Sequence, residues 1–290
     1  MISRRKMDSL IEKLIFGCGI AAIVLVALIF FFLLREGLSF FAQYKFTEFL
    51  SGKFWYPTSS PGKFGILPMI MGSLFVTLGA AVIAVPIGVM AAFYISEVAP
   101  LSIRDILKSG IELLAAIPSV VIGFIGMVTI VPLIRNLFDL PTGLSAFSGS
   151  LVLAFMAMPT IVSISEDAIR AVPWTYKEGA LSLGATKWQT MYRVVLPAAA
   201  PGILAAVMLG IGRVIGETMA VMMITGNAAA IPGSLFDPVR TLTATIASEM
   251  GETVRGSIHY QGLFAIGLVL FIITFIINFI ADTFLNRGRK

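Results

Sequence analysis

Leu14-Ile15-Phe16-Gly17-Cys18-Gly19-Ile20-Ala21-Ala22-Ile23-Val24-Leu25-Val26-Ala27-Leu28-Ile29-Phe30-Phe31-Phe32-Leu33-Leu34 carries no charged side chain. A helix of ~20 apolar residues crosses the ~30 Å hydrocarbon layer of a bilayer, so this run is long enough to span one. Arg4, Arg5 and Lys6 precede it, as they would in a secretory signal. The run is too long for a signal core and lacks a small-residue cleavage site, so it reads as an uncleaved first span.

Five further runs follow: Pro68–Ile95, Ile111–Ile134, Gly149–Ser165, Ala198–Ile224 and Tyr260–Leu285. The fourth is the shortest. Pro86 and Pro118 are expected to kink the second and third, since a buried membrane helix tolerates proline. The predicted fold is all-α, a polytopic bundle of about six membrane helices. Residues 1–13 form an N-terminal segment and 14–290 one integral membrane domain. Composition agrees. The 290 residues are 58% hydrophobic and 13% charged, against ~45–50% and ~25% in soluble domains. That excludes an ordinary water-facing surface.

The net charge of +5 has no aromatic-interleaved basic patch behind it, so no nucleic acid is expected. Basic residues instead mark loops that stay in the cytoplasm. With the N-terminus inside, thirteen Lys and Arg fall in the inner segments: Arg4, Arg5, Lys6, Lys13, Arg104, Lys108, Arg170, Lys177, Lys187, Arg193, Arg287, Arg289 and Lys290. Seven fall outside. Both termini are therefore expected in the cytoplasm of a bacterium, with the chain multi-pass in its inner membrane. A single cysteine, Cys18, excludes an intrachain disulfide or multi-cysteine zinc site. The single histidine, His259, reads as an interfacial polar residue, and no metal site is expected.

Two loops are long enough to hold structure, 166–197 on the inner side and 225–259 on the outer. In the outer loop, Arg240–Glu252 has helical potential, opened by Pro238 and ended by Gly251. The inner loop reads Glu178-Gly179-Ala180-Leu181-Ser182-Leu183-Gly184, then after nine residues Val194-Val195-Leu196-Pro197. This spacing predicts two short helices around a glycine turn, since Gly184 takes a left-handed conformation without a Cβ penalty. Pro197 suits the start of the next helix. Such a pair either lies on the bilayer surface or offers a partner a helix to grip.

The pattern Glu178, Ala180, Gly184, Val194, Leu196 and Pro197 resembles the signature of ABC-importer permeases, with Gly179 where the family usually has alanine. The resemblance implies that this loop docks on an ATP-hydrolysing subunit. Glu178, Gly179, Ala180, Gly184, Leu196 and Pro197 are then its coupling residues, and the fold is of the type I importer kind.

Span five carries Arg213 and Glu217, the two charges placed well inside a span. An ionisable group there is costly and normally faces protein or an aqueous path. Four residues apart, they are expected on one helical face, with Gly212 and Gly216 admitting a neighbouring helix. Two readings stay open: an ion pair that locks helices, or a substrate path. Arginine's fork suits a tetrahedral oxyanion. Ser73, Thr77 and Asn227 are weaker candidates for the path. Met219, Met222 and Met223 read as flexible packing.

The stretches Arg213–Asn227 and Pro238–Glu249 resemble the permeases of phosphate-specific ABC importers, of the PstC type more than PstA. That resemblance implies inorganic phosphate as cargo and a second permease subunit (PstA-like). It also implies two ATPase subunits (PstB-like) that bind ATP and Mg, and an extracytoplasmic phosphate-binding protein (PstS-like). No Gly-x-x-x-x-Gly-Lys-Ser/Thr loop occurs in the sequence, so any driving ATP hydrolysis belongs to a partner and this chain needs no cofactor of its own. The rival readings are a permease for molybdate or sulfate, and a self-contained secondary carrier.

Overall fold

Six helices in the computed structural model, which describes residues 4–287, are long and apolar enough to cross a membrane. They are built from α1 (Arg4–Phe41), α3 (Leu67–Phe93), α5 (Ser119–Leu137), α6 (Ala146–Arg170), α9 (Leu196–Gly216) and α12 (Ile258–Arg287). Between them lie α2 (Phe46–Ser51), a two-residue hairpin of β1 (Trp55–Tyr56) and β2 (Lys63–Phe64), and α4 (Leu101–Ala116). Later connections hold α7 (Trp174–Ser182), α8 (Lys187–Thr190), α10 (Met219–Ile224) and α11 (Leu242–Glu249). Arg289 and Lys290, used above to argue orientation, lie outside the described residues.

The bundle is organised around α6. On α3, Pro68, Gly72, Val76, Ala80, Ala84, Gly88 and Ala92 are all buried and stand four residues apart. That spacing keeps them on one face. Small side chains there let two helix backbones approach. A Cβ on Gly88 would sit 2.8 Å from Ile161 Cγ2 of α6. Ser150 Oγ donates to Val76 O across the same seam at 3.2 Å. On the other side of α6, a Cβ at Gly202 of α9 would lie 2.4 Å from Ala168 Cβ. The shortest apolar run thus forms the most buried of the six helices. Protein rather than lipid surrounds it, so serines and a glutamate are accepted there. α1 packs on α12 at the periphery, where Phe30 and Phe271 meet at 4.9 Å between ring centroids.

Several boundaries differ from those the sequence predicts; the first helix, for one, continues past Leu34 to Phe41. The third span starts at Ser119, and Ile111–Ala116 end the separate amphipathic helix α4. Pro118 does not kink a helix: Ile117 and Pro118 are both extended (ψ 128° and 138°), because a residue before proline is pushed out of the helical region. The fifth span does not run to Ile224. It stops at Gly216, where Glu217 turns extended (φ −69°, ψ 132°), and α10 resumes at Met219. The inner loop narrows to 171–186, because α6 continues through Arg170 and α8 runs without a break into the π-turn Met191–Val195 and α9. Pro197 therefore sits inside a continuous rod. Its missing N–H, which an α-helix would aim at the carbonyl of Arg193, falls next to the widened turn that relieves the clash.

Candidate functional site

The charged residues of span five sit at its break. Arg213 is half-buried on the last turn of α9, and its Nη1 donates to Thr160 Oγ1 of α6 at 3.3 Å. Glu217 points elsewhere. Its Oε1 accepts from the Ala220 N–H at 3.2 Å and so caps α10, while its carbonyl accepts from Thr243 Oγ1 at 2.9 Å. Among the described residues no salt bridge joins Arg213 to Glu217. The expected shared helical face is lost because Glu217 is no longer helical. The space beside Gly212 and Gly216 is open rather than filled by a neighbouring helix of this chain.

The break is stabilised by the outer loop, which folds back into the bundle. After α10, Gly226 (φ 80°) and Asn227 (φ 50°) reverse the chain. Val239 N–H then returns to Thr225 O at 2.8 Å. The expected helix of this loop is shorter than Arg240–Glu252: Thr241 caps it and it spans Leu242–Glu249. Ser73 Oγ of α3 accepts from the Leu242 N–H at 3.0 Å, so Ser73 holds this helix in place. Thr77, one turn on, is half-buried. Asn227 contributes its carbonyl to Arg240 Nε at 3.0 Å, while its own Oδ1 is buried without a partner. Glu249 ties this end of the bundle together, accepting from Arg240 Nη1 (2.9 Å) and Trp55 Nε1 (2.9 Å) and bonding His259 Nε2 (2.8 Å). Spacing does not reveal Thr160 of α6 or Thr243 of α11, because each reaches the break in span five from another element.

On the opposite side, the inner loop forms two helices around Gly184 (φ 83°). Trp174 Nε1 donates to Glu178 Oε1 at 2.7 Å across one turn of α7. Thr186 and Gln189 make a reciprocal capping box that starts α8. Gly179 has open space around it, and Leu183 is 90% exposed. With Thr175, Tyr176, Ala180 and Val194 these two line a surface groove of about 600 Å³. Leu196 is half-buried and Pro197 exposed where the rod leaves the loop. Lys177 Nζ pairs with Glu97 Oε1 at 2.6 Å and fastens α7 to the π-turn (Tyr94–Val98) that ends α3.

Residues 84–290 match the family described as the binding-protein-dependent transport system inner membrane component. A probable ABC transporter permease protein, YqgH of Bacillus subtilis (strain 168), is 42% identical over 99% of this chain and 93% of its own. The phosphate transport system permease protein PstC of Mesorhizobium japonicum is 39% identical, over 83% of this chain and 78% of that one. PstC of Pasteurella multocida is 36% identical over 84% and 81%. Among solved structures, a bacterial alginate ABC transporter with its periplasmic protein superposes with TM-score 0.66 at 16% identity, covering 97% of this chain and 96% of that one. The MetNI methionine ABC transporter gives 0.57 at 20% identity over 77% and 94%. These two likenesses concern the fold.

Proposed function

The chain belongs to the family of binding-protein-dependent transport system inner membrane components, and on that premise we propose that it is one of two membrane subunits of an ATP-driven phosphate importer. The relatives named PstC cover most of its length, which supports phosphate as cargo. One observation carries the path assignment. Arg213 is held half-buried in the bundle by a neutral hydroxyl, with no carboxylate joined to it among the described residues. A guanidinium that cannot lose its proton and retains free donors suits a passing tetrahedral oxyanion. Glu217 has a different task from neutralising it: it keeps the break in span five open. Thr77 and Asn227, half-buried in the same bundle, are the weaker candidates for this path.

In this reading the inner loop faces the cytoplasm, and α7 docks on an ATPase that supplies ATP and Mg. The open Gly212–Gly216 flank receives the second permease subunit. The outer loop, fastened by Glu249, receives the phosphate-binding protein. The deciding experiment is phosphate uptake by the reconstituted complex, with sulfate and molybdate as competitors. Arg213→Gln is expected to abolish uptake while the subunit still assembles in the membrane. Undiminished uptake by that variant would remove Arg213 from the path. Competition by molybdate or sulfate at the level of phosphate would move the cargo assignment to another oxyanion.

A further inference from the structure

A cationic cleft that does not include Arg213 lies where α7 and α8 meet the end of α3. It encloses about 440 Å³. Four cationic residues line it, Arg104, Arg170, Lys177 and Lys187, against one acid, Glu97. Lys177 and Glu97 cancel in their 2.6 Å pair, and Arg170 is engaged by Glu166 Oε1 at 3.1 Å. The other two cations have no such partner. Among the described residues Arg104 donates to the carbonyls of Ile95 and Ser96 and meets no carboxylate. No salt bridge engages Lys187 among the described residues.

Ser96 and Thr190 also line the cleft, 5% and 4% exposed. Among the described residues neither hydroxyl has a hydrogen-bond partner. In a helix such hydroxyls ordinarily bond back to a carbonyl one turn earlier. A buried hydroxyl left unpaired is destabilising, so two at one cleft point to an absent acceptor. Uncompensated cations with unpaired donors describe an oxyanion's shell.

We propose that this cleft binds a phosphate-type oxyanion, held by the Ser96 and Thr190 hydroxyls and by Arg104 and Lys187. Its place on the product side of the membrane rests on the importer reading above; the binding itself does not. Two sources share the chemistry: free phosphate, and the phosphodiester of an anionic lipid headgroup. An anion there would brace the coupling loop against α3, parallel to the Lys177–Glu97 bridge.

The test is equilibrium binding of radiolabelled inorganic phosphate to the purified intact complex, without its binding protein. It is run in nanodiscs of phosphatidylcholine and again with phosphatidylglycerol included. The complex carries Arg213→Gln to silence the path. Lys187→Gln and Thr190→Val are the probe variants, and Lys187 is exposed enough to be replaced without disturbing the core. Saturable phosphate binding in phosphatidylcholine, weakened about tenfold or more by either probe variant, assigns the free anion. A phosphatidylglycerol molecule retained in native mass spectrometry, and lost in both probe variants, assigns the headgroup. Absence of both signals, or signals indifferent to both substitutions, overturns the proposal. If instead no ATPase co-purifies, the importer reading fails, and the same binding measurement on the purified chain still decides the cleft.

Discussion

Glu166 is 2% exposed near the end of α6, with Lys108 Nζ of α4 at 2.9 Å and Arg170 Nη1 at 3.1 Å. By sequence it stands at the edge of a polar loop; in the fold it is a buried carboxylate. What places it there is the extension of α6 by one turn, which an apolar-run boundary at Ser165 cannot show. The hydrogen bond that Lys108 donates to Glu166 raises its ammonium above its ordinary 10.5, with partial burial opposing this and Asp167 adding to it. A lysine raised on folding adds stability that is complete below its unfolded value and lost as pH climbs through the folded one. Glu166→Gln is therefore expected to lower the stability of the detergent-solubilised complex by about 1–3 kcal/mol. In thermal unfolding the deficit should hold from neutral pH to 10.5 and shrink only above it. A deficit that vanishes well below that value would show that the pair is not the source. At the same scale, Arg213 was legible because a charge inside an apolar run is conspicuous. Its partner Thr160 was not, since nothing in the sequence links positions on two helices.

Among elements, the seam between α6 and its neighbours decides the packing. Gly202 and Ala168 meet so closely that a Cβ on the glycine has no room. The neighbour is a rigid Ala methyl rather than the end of a flexible side chain. Gly202→Ala is expected to destabilise by about 1–3 kcal/mol through overpacking, and Ala168→Gly in the same chain to restore most of that loss. The measure is the fraction of chain that stays monodisperse in detergent on heating. Additive losses in the double variant would mean that the two positions do not share a contact. The four-residue ladder of small residues on α3 was present in the sequence as a close-packing signal. The break in span five was not. Gly216-Glu217-Thr218 lies in an apolar stretch that hydropathy alone would continue as one span, and the Thr243 and Thr218 hydroxyls and the Glu217 cap satisfy the backbone it frees.

For the molecule as a whole, much of its apolar surface faces outward: α1, α5 and α12 expose large side chains along their length. Lipid covers such surface, and so does a second subunit. If this chain is half of an ATP-driven path, it is expected to bring an ATPase with it from mild detergent and to give no phosphate uptake when reconstituted alone. Uptake by the lone chain, driven by an ion gradient, would instead make it a secondary carrier. The ordering of the two faces follows from the fold: Trp55, Arg240, Glu249 and His259 gather at one end, and Glu97, Arg104, Lys108 and Lys177 at the other.

The sequence by itself determined the all-helical membrane class, the six crossings and the pair of short helices around Gly184. Each is a local property: apolar length against bilayer thickness, and turn residues at fixed spacing. Only the tertiary structure decided that the shortest span is the centre, that span five is broken, and that Arg213 and Glu217 have separate partners. Those outcomes depend on which surfaces exclude lipid and on which side chains from distant elements satisfy freed backbone groups. Neither is written in any one segment.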